Sequence, residues 1–281
     1  LPANTQIVDT LQNANLSYDQ ESFVVKAGTT VLEEGKDYTL TFSGQSATIN
    51  FPKGLNQAVT IDYKTAYNRV IDDDLPTGEK IENKVTTEVN GKTSGDSGEL
   101  TIAKNGIIKS NTIDYQNRTI KWTITVNRFN YWMKNWSLVD TIPEGLTYKP
   151  GSFSIKTGNQ SLIENEAYQV TWSANQFEAT FLDDRKNGTK DTYTITYETT
   201  FDLRKGSYIN KATSTWADND GTSHKQSTEN TAKISANYVS DASKSGTYNA
   251  TTKTIAWSTI VNYNQDHLVD ATIVDPITGN Q

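Results

Sequence analysis

The sequence predicts an all-β chain built from tandem Greek-key β-sandwich domains. Apolar residues alternate with Thr, Lys and Ser at a period of two, which is typical of a half-buried sheet. The 281 residues include 14 Tyr, 6 Trp and 8 Phe, and aromatic and Thr-rich sequence favours strands. Related segments recur about every 130 residues, the size of one sandwich domain. No helix longer than one or two turns is expected.

Short strands separated by turns are predicted for the first 99 residues. The predicted strands span residues 7–11, 22–28, 37–42, 46–51, 58–67 and 83–89. Turn signals lie between them, at Glu34-Gly35, Ser43-Gly44, Lys53-Gly54 and Asn90-Gly91. The last of these dipeptides is a strong signal for a two-residue hairpin turn.

The repeat predicts three domains. Residues 1–99 form a sandwich whose N-terminal part is missing, residues 100–232 form a complete sandwich, and residues 233–281 form the first part of a third repeat. We interpret the chain as a fragment of a longer tandem array.

Composition excludes several classes of function. A net charge of −7 disfavours binding to nucleic acids and to anionic membranes. The sequence contains no apolar run of 18 residues, so no membrane-spanning helix is predicted. The absence of cysteine excludes disulfides, zinc–thiolate sites and thiol nucleophiles. The two histidines have no catalytic partners at triad spacing. No metal or cofactor site is predicted: Asp72–Asp74 is interpreted as a solvated loop, and Asp218–Gly221 as a hairpin turn.

Residues 109–140 carry the motif on which the functional hypothesis depends, and residues 244–275 repeat it. In both copies a Lys lies 13 residues before a Trp, an Asn 5 residues after it and an Asp 18 residues after it. The residues are Lys109, Trp122, Asn127 and Asp140, repeated as Lys244, Trp257, Asn262 and Asp275. We interpret the two asparagines as strand-end or turn residues.

Two further matches extend the motif across the repeat. Asp140 corresponds to Asp9, and Asn210 in the segment YINKA corresponds to Asn83. Only residues 100–232 therefore contain the motif lysine, the motif aspartate and the matching asparagine together, as Lys109, Asp140 and Asn210.

Lys109, Asp140 and Asn210 would meet in the core of a Greek-key sandwich, because its first and last strands are often neighbours. Burial lowers the pKa of a lysine and raises that of an aspartate. A neutral amine can then attack the asparagine amide while the protonated acid polarises it, forming a Lys–Asn isopeptide bond once and without turnover. Trp122, Ile124 or Tyr115 would form the apolar wall that shields the reacting groups from water. The alternatives are a plain buried Lys–Asp ion pair or an outward-facing lysine.

The combination of K-x(12)-W-x-I-x-V-N, V-D-T-I-P-E-G-L-x-Y-x-P-G-S and Y-x-N-K-A resembles the collagen-binding-type adhesin domains of Gram-positive surface proteins. The resemblance covers residues 100–232 in full and both flanks in part. It implies an immunoglobulin-like sandwich with extra strands and an intramolecular Lys–Asn isopeptide bond made by a buried acid.

By position, the resemblance implies that Lys109 and Asn210 are bonded and that Asp140 is the catalyst. Lys104 is less favoured, because the third copy has Val239 there. In the partial repeats the equivalent residues are the catalysts Asp9 and Asp275 and the cross-linking residues Asn83 and Lys244.

The predicted function is a structural and adhesive segment of a cell-wall-anchored, extracellular bacterial surface protein. The alternative is a module that binds collagen or another host matrix protein directly, with Trp132 and Trp136 in the aromatic segment 128–136 as ligand-binding candidates; burial of that segment competes with this interpretation. An accessory domain of a carbohydrate-processing enzyme would need paired carboxylates in a cleft, which the sequence lacks.

The incomplete repeats allow two interpretations. Residues 233–281 of one molecule could complete residues 1–99 of another and pair Lys244 with Asn83. Truncation of an array explains the same pattern, since an exchange would duplicate the aspartate strand. Neighbouring repeats of the same chain are the other expected partners.

Overall fold

The structure is a computed structural model that describes residues 1–89, 91–201 and 205–277. The chain divides into two compact units, Leu1–Gly106 (unit 1) and Ile107–Gln281 (unit 2). Asn90, the first residue of the strongest predicted hairpin signal, lies outside the described residues, and Gly91 after it has a positive φ of 71°.

Unit 1 contains eight strands in two antiparallel sheets. They are β1 (Thr5–Leu11), β2 (Leu16–Ala27), β3 (Thr30–Val31), β4 (Thr39–Ser43), β5 (Ser46–Phe51), β6 (Val59–Tyr67), β7 (Glu79–Val89) and β8 (Lys92–Ile102). One sheet has the order β4-β5-β1-β7-β8 and the other the order β3-β2-β6.

Unit 2 contains a larger sandwich followed by a separate hairpin. Its strands are β9 (Ile108–Asp114), β10 (Thr119–Val126), β11 (Lys134–Thr141), β12 (Leu146–Tyr148), β13 (Ser154–Thr157), β14 (Gln160–Ser161), β15 (Tyr168–Ser173), β16 (Gln176–Phe181), β17 (Tyr193–Phe201), β18 (Ser207–Ala217), β19 (Ser223–Lys233), β20 (Ala242–Asn249) and β21 (Thr254–Val261). A 3₁₀ turn (Asp184–Asn187) and a five-residue helix, α1 (Ala236–Ser240), are its helical elements among the described residues.

The strand order of unit 2 is that of an immunoglobulin-like sandwich. If β9, β10, β11, β13, β17, β18 and β19 are lettered A to G, one sheet contains the order A-B-E-D and the other the order C-F-G. The short strand β14 extends the first sheet, and β15 and β16 extend the second. The predicted fold class is therefore confirmed, including the extra strands.

The core of unit 2 lies between the two sheets. Trp122 and Ile124 of β10 and Leu138 of β11 are fully buried. The ring of Phe177 on β16 meets the ring of Tyr197 on β17 edge-on, with 5.2 Å between centroids, so the sheets interdigitate. Burying each of these side chains stabilises the folded state by about 1.5–3 kcal/mol. The alternation of apolar residues therefore decides which face of each strand packs into the core.

Unit 1 has the same plan, but its first described strand corresponds to β11. Its core is a cluster that includes Ile7, Ile49 and Phe51 from one sheet and Val25 from the other. β6 corresponds to β17, and within the described residues it pairs with β2 alone. In unit 2, by contrast, β17 is covered on its other edge by β10.

The segment predicted to begin a third repeat starts with a hairpin. β20 pairs with β21 in the same register in which β9 pairs with β10, so that Lys244 lies opposite Thr259 as Lys109 lies opposite Ile124. Residues 262–277 form no strand. Asn262 has a positive φ of 61° and closes the turn after β21 through hydrogen bonds to Asp266, confirming its interpretation as a turn residue.

The predicted boundary between residues 99 and 100 falls inside a strand. β8 continues to Ile102, and the first compact unit ends at Gly106. Residues 92–99 were not predicted as a strand, because they are polar, contain two glycines and are exposed; they pair with β7 along their whole length.

Two loops with clustered aspartates hold no metal-binding group of three or more His, Cys, Asp or Glu among the described residues. Asp218 accepts backbone hydrogen bonds from Asp220 and Thr222, as expected for a hairpin turn. Asp73 pairs with Lys104 at 2.8 Å, but Asp72 is buried, so the prediction of a solvated loop is wrong at that residue. No helix in the described ranges is long and apolar enough to cross a membrane.

Gly188 is a position where the fold requires glycine. Its φ is +144°, and a Cβ there would lie 2.1 Å from Cζ2 of Trp132. We expect Gly188→Ala to lower the free energy of unfolding by about 3 kcal/mol, from backbone strain and overpacking together. Gly151→Ala is the matched control, because Gly151 has φ +78° and no atom within 4 Å of the added carbon. Equal losses for the two variants in urea denaturation would contradict this account.

Candidate functional site

Three predicted residues of unit 2 lie together in its dry core. Lys109 is 6% exposed, and Asp140 and Asn210 are completely buried. They come from β9, β11 and β18, and therefore from both sheets. A fourth residue, Tyr197 of β17, joins them and was not predicted.

The phenol oxygen of Tyr197 is the centre of this cluster. It donates a hydrogen bond to Asp140 Oδ1 at 2.9 Å. It accepts hydrogen bonds from Asn210 Nδ2 at 2.7 Å and from Lys109 Nζ at 3.3 Å. Lys109 Nζ also donates to Asp140 Oδ2, forming a buried ion pair. One hydroxyl thus brings an amine, an acid and an amide to the same point.

Strand alternation explains why these polar side chains point inward. On β11 the residues Leu138, Val139 and Asp140 are buried, half-buried and buried. On β18 Asn210 lies between the inward-facing Tyr208 and Ala212. Each polar residue therefore occupies a position where the sheet normally places an apolar side chain.

Aromatic rings form the wall around the amine. Lys109 Nζ lies 5.2 Å from the ring centroid of Trp122 and 5.6 Å from that of Tyr197. Ile124, the residue opposite Lys109 in the sheet, is also fully buried. Tyr115 was a third candidate for this wall and is wrong, because its ring stacks instead on Tyr238 with 3.9 Å between centroids.

Burial changes the ionisation of the cluster. It lowers the pKa of Lys109 to about 8, although the neighbouring Asp140 opposes the change. It raises the pKa of Asp140 against the opposing effects of Lys109 and Tyr197. Burial and the charge of Asp140 also raise the pKa of Tyr197, so its hydroxyl stays protonated. The two pKa shifts increase the fractions of neutral amine and of protonated acid at moderate pH.

Asn210 has one unsatisfied atom. Its Oδ1 is buried and has no hydrogen-bond partner among the described residues. A buried carbonyl oxygen without a donor is rare and costs about 1–3 kcal/mol. A protonated carboxyl group in the same cluster is a donor of the kind this oxygen lacks.

Unit 1 repeats the cluster without the amine. Asn83 Nδ2 donates to Asp9 Oδ2 at 3.0 Å and to the hydroxyl of Tyr63, the counterpart of Tyr197. Tyr18 donates to Asp9 Oδ1 at 2.7 Å. Asn83 Oδ1 is buried and without a partner among the described residues, as in unit 2.

Residues 244–275 repeat only the amine and an acid of the cluster. Lys244 forms an ion pair with Asp275, with side chains 40% and 48% exposed. Its Nζ lies 4.9 Å from the ring centroid of Trp257, much as Lys109 lies over Trp122. Lys104, the less favoured lysine, pairs with Asp73 in unit 1 and lies outside the cluster of unit 2.

The two tryptophans considered for ligand binding have different positions. Trp136 is 1% exposed and donates to Ser214 Oγ at 2.9 Å inside the core, so its proposed ligand-binding role is wrong. Trp132 is half-buried against Gly188, and its indole nitrogen is buried. The expectation of burial therefore holds for Trp136 and for much of Trp132.

The signal that identifies Tyr197 is present in the sequence. The segment TITY at 194–197 matches TIDY at 60–63, and in both repeats the tyrosine hydroxyl contacts the asparagine amide. A tyrosine in an alternating strand looks like an ordinary core aromatic, so only the repeated pair distinguishes it.

Comparison with protein families places a match on unit 1. Residues 2–103 match the family model described as the Sgo0707 N2 domain, and Sgo0707 is an adhesin of Streptococcus gordonii. The predicted resemblance to Gram-positive surface adhesin domains is thus confirmed for these residues. Comparison with curated proteins found no match.

Solved structures with similar folds include three bacterial surface proteins. The collagen-binding subdomain ACE19 of Enterococcus faecalis is 14% identical and covers 44% of this chain and 94% of its own, with a TM-score of 0.38. The N-terminal domain of Sgo0707 is 8% identical, covering 83% and 56%, with a TM-score of 0.38. Domains D2 and D3 of the major pilin SpaD of Corynebacterium diphtheriae are 16% identical, covering 49% and 53%, with a TM-score of 0.37. The fold assignment rests on the strand order, and the match of residues 2–103 supports a surface adhesive role.

Proposed function

We propose that the chain is a structural and adhesive segment of a bacterial cell-surface protein, and that its complete sandwich is cross-linked by an isopeptide bond between Lys109 and Asn210. The observation that carries this proposal is the shared Tyr197 hydroxyl, which holds the amine, the amide and the Asp140 acid in one dry cluster. The bond forms once during folding.

The reaction balances within these four side chains. A proton passes from Lys109 to Asp140, which leaves a neutral amine and a neutral acid. The amine attacks Cγ of Asn210 while the acid donates to the amide oxygen. The new Nζ–Cγ bond forms, the Cγ–Nδ2 bond breaks, and protons relayed by the carboxyl group leave with the ammonia. Holding the groups together replaces a bimolecular encounter with a local one.

A buried ion pair without further reaction is the competing interpretation of the cluster. It would satisfy Lys109 and Asp140 but would leave Asn210 Oδ1 without a donor. It would also keep two charges in the core, where desolvation is costly. The isopeptide product removes the charge of the amine and leaves the acid free to remain protonated.

The cross-link would give the module mechanical strength. It joins β9 to β18 and encloses the chain from residue 109 to residue 210, in a protein that has no cysteine. By loop-closure entropy a cross-link of this span stabilises the folded state by about 5 kcal/mol. Extracellular attachment to the cell wall in the parent protein fits such a load-bearing segment.

The third repeat also contacts the complete sandwich within unit 2. Arg118, in the turn after β9, donates to Asp266 at 2.8 Å and to the backbone of Asn264. Together with the stacking of Tyr115 on Tyr238, these contacts support a role for neighbouring repeats as partners. Direct binding of collagen or another matrix protein stays a prediction; the burial of Trp136 removes one of the two residues proposed for it.

Intact mass spectrometry tests the bond directly. We expect the full chain to weigh less than its sequence by one ammonia, and peptide mapping to join Lys109 to Asn210. Asp140→Ala should restore the full sequence mass, whereas Asp96→Ala, at an exposed aspartate of β8, should not. A wild-type mass equal to the sequence mass would overturn the proposal.

Tyr197→Phe tests the role of the central hydroxyl. Loss of its three hydrogen bonds should slow bond formation at least about 10-fold, because both the acid and the amide lose their orientation. The measurement is the fraction of chains that have lost ammonia at set times after cell-free synthesis. Tyr63→Phe, the equivalent change in unit 1, should leave this rate unchanged. Equal rates for Tyr197→Phe and wild type would show that the hydroxyl is dispensable.

Asn210→Ala allows the buried charges to be measured without a cross-link. The folded Lys109 loses its proton near pH 8 and the unfolded lysine near pH 10.4. Between these values the unfolded state binds more protons, so the free energy of unfolding should rise with pH, by up to about 3 kcal/mol in total. The penalty is fully present below pH 8 and absent above pH 10.4.

The control for this slope is an Asn210→Ala chain that also carries Lys109→Met and Asp140→Asn, which removes both titrating groups. Urea denaturation at a series of pH values compares the two chains. An identical pH dependence in both would show that Lys109 is not the source of the slope.

A further inference from the structure

We propose that Phe177 is a positioning residue for the cross-linking reaction, because its ring keeps the hydroxyl of Tyr148 away from Asp140 and so leaves that acid able to carry a proton. The inference rests on the proposed function and deepens it, since it names a residue outside the cluster that controls the acid within it. The observation behind it is an exchange of two aromatic rings between unit 1 and unit 2.

The two units match in register around the acid. Asp9 lies opposite Ala47 in the sheet of unit 1, and Asp140 lies opposite Phe177 in the sheet of unit 2. Both residues opposite the acid are completely buried. The side chain across from the acid is therefore a methyl group in one unit and a benzyl group in the other.

A tyrosine also occupies equivalent backbone positions in the two units. Tyr18 of β2 pairs with β6 two residues after Tyr63, and Tyr148 of β12 pairs with β17 two residues after Tyr197. In unit 1 the hydroxyl of Tyr18 donates to Asp9 Oδ1 at 2.7 Å. Burial and this hydrogen bond raise the pKa of Tyr18, so its hydroxyl stays protonated and acts as the donor.

One aromatic site beside the acid is filled in both units, by rings from different strands. Three rings surround that of Tyr18, with centroids 5.5 to 5.9 Å away, namely those of Phe23, Phe42 and Tyr63. Three rings surround that of Phe177, with centroids 5.1 to 5.2 Å away, namely those of Phe153, Trp172 and Tyr197. The second three are the counterparts of the first, so Phe177 occupies in unit 2 the place that the tyrosine ring occupies in unit 1.

The ring of Phe177 excludes Tyr148 from this site, because a close-packed core has no room for both. Tyr148 instead stacks on Trp172, with 3.7 Å between ring centroids, and is half-buried. It is not among the described hydrogen-bond partners of Asp140, which are Lys109 and Tyr197.

The exclusion matters because a hydroxyl that donates to a carboxylate favours its charged form. Burial raises the pKa of Asp140, and the hydrogen bond from Tyr197 is among the effects that oppose this rise. A second hydroxyl, placed as that of Tyr18 is in unit 1, would oppose it further. The acid would then take the proton of Lys109 less readily and would donate less often to Asn210 Oδ1.

The competing interpretation is that Phe177 only fills space in the core. Its removal would then slow the reaction by loosening the cluster, whether or not residue 148 carries a hydroxyl. A change at residue 148 therefore separates the two interpretations.

Four full-length chains make the test: wild type, Phe177→Ala, Tyr148→Phe and the double variant. Phe177→Ala vacates the site for a ring with a hydroxyl, and the double variant vacates it for a ring without one. The measurement is the fraction of chains that have lost one ammonia at set times after cell-free synthesis. We expect Phe177→Ala to slow this loss at least about 10-fold, Tyr148→Phe to leave it unchanged, and the double variant to regain most of the lost rate.

Equal slowing in Phe177→Ala and in the double variant would assign the effect to the cavity and overturn the inference. A wild-type rate in Phe177→Ala would overturn it too.

The reverse change in unit 1 tests the ring exchange without opening a cavity. Ala47→Phe should displace Tyr18 from Asp9, so the ¹³C NMR signal of the Asp9 carboxyl group should move in the same direction as in a Tyr18→Phe chain. An Asp9 signal identical to that of wild type would contradict the exchange, whether or not Phe177→Ala folds.

Chains with Asn210→Ala, which cannot form the proposed bond, separate this inference from the proposed function. In them the ¹³C signal of the Asp140 carboxyl group is followed against pH. Its midpoint should move to lower pH when Phe177→Ala is added and return when Tyr148→Phe is added as well. That result together with a wild-type chain that loses no ammonia would overturn the cross-link and retain the control of the acid by Phe177. A midpoint that does not move, in a protein whose wild type does lose ammonia, would overturn this inference alone.

Discussion

The burial of the Lys109 amine in the core is the constraint on which the rest of the cluster depends. Burying an ammonium group without a partner has a large desolvation cost. The carboxylate of Asp140 pairs with Lys109 and offsets that cost. The acid then needs a donor for its second oxygen, which is the hydroxyl of Tyr197. That hydroxyl in turn accepts the amide of Asn210. Each side chain satisfies the one before it, and the last is left with a free carbonyl oxygen.

This chain of dependencies supports the proposed reaction over a stable ion pair. Transfer of the proton from Lys109 to Asp140 cancels both charges, and burial shifts the pKa values of both groups towards that neutral state. The neutral acid is a donor, the unsatisfied Asn210 Oδ1 is an acceptor, and the neutral amine is a nucleophile. The same desolvation that makes the ion pair expensive therefore prepares all three reacting groups.

Sequence reasoning could predict the parts of the site that interrupt a pattern. Lys109, Asp140 and Asn210 stand out because charged and amide residues occupy inward positions and recur in register. Tyr197 does not interrupt the pattern, since an aromatic residue fits an alternating strand, and only its recurrence as Tyr63 distinguishes it. Tyr115 was misplaced because its stacking depends on Tyr238, far along the chain.

Features of the fold that the sequence does not predict also depend on contacts between distant parts of the chain. The polar and glycine-containing sequence of β8 has no inward apolar face, and it becomes a strand only because β7 offers it an edge. Trp132 and Trp136 belong to one aromatic run, but the sheet register buries the second completely and the first only in part. Tertiary pairing, rather than local propensity, decides both cases.

The comparison of the two units separates the residues that position the acid and the amide from the residue that supplies the amine. Asn83 donates to the hydroxyl of Tyr63 in unit 1 as Asn210 donates to that of Tyr197 in unit 2. In unit 1 the acid, Asp9, is held instead by Asn83 and Tyr18, and no lysine is among its described hydrogen-bond partners. The acid, phenol and amide of unit 1 are thus held together by the counterparts of strands C, D, E and F. In unit 2 the first strand, β9, adds the proposed nucleophile, Lys109, to such a group.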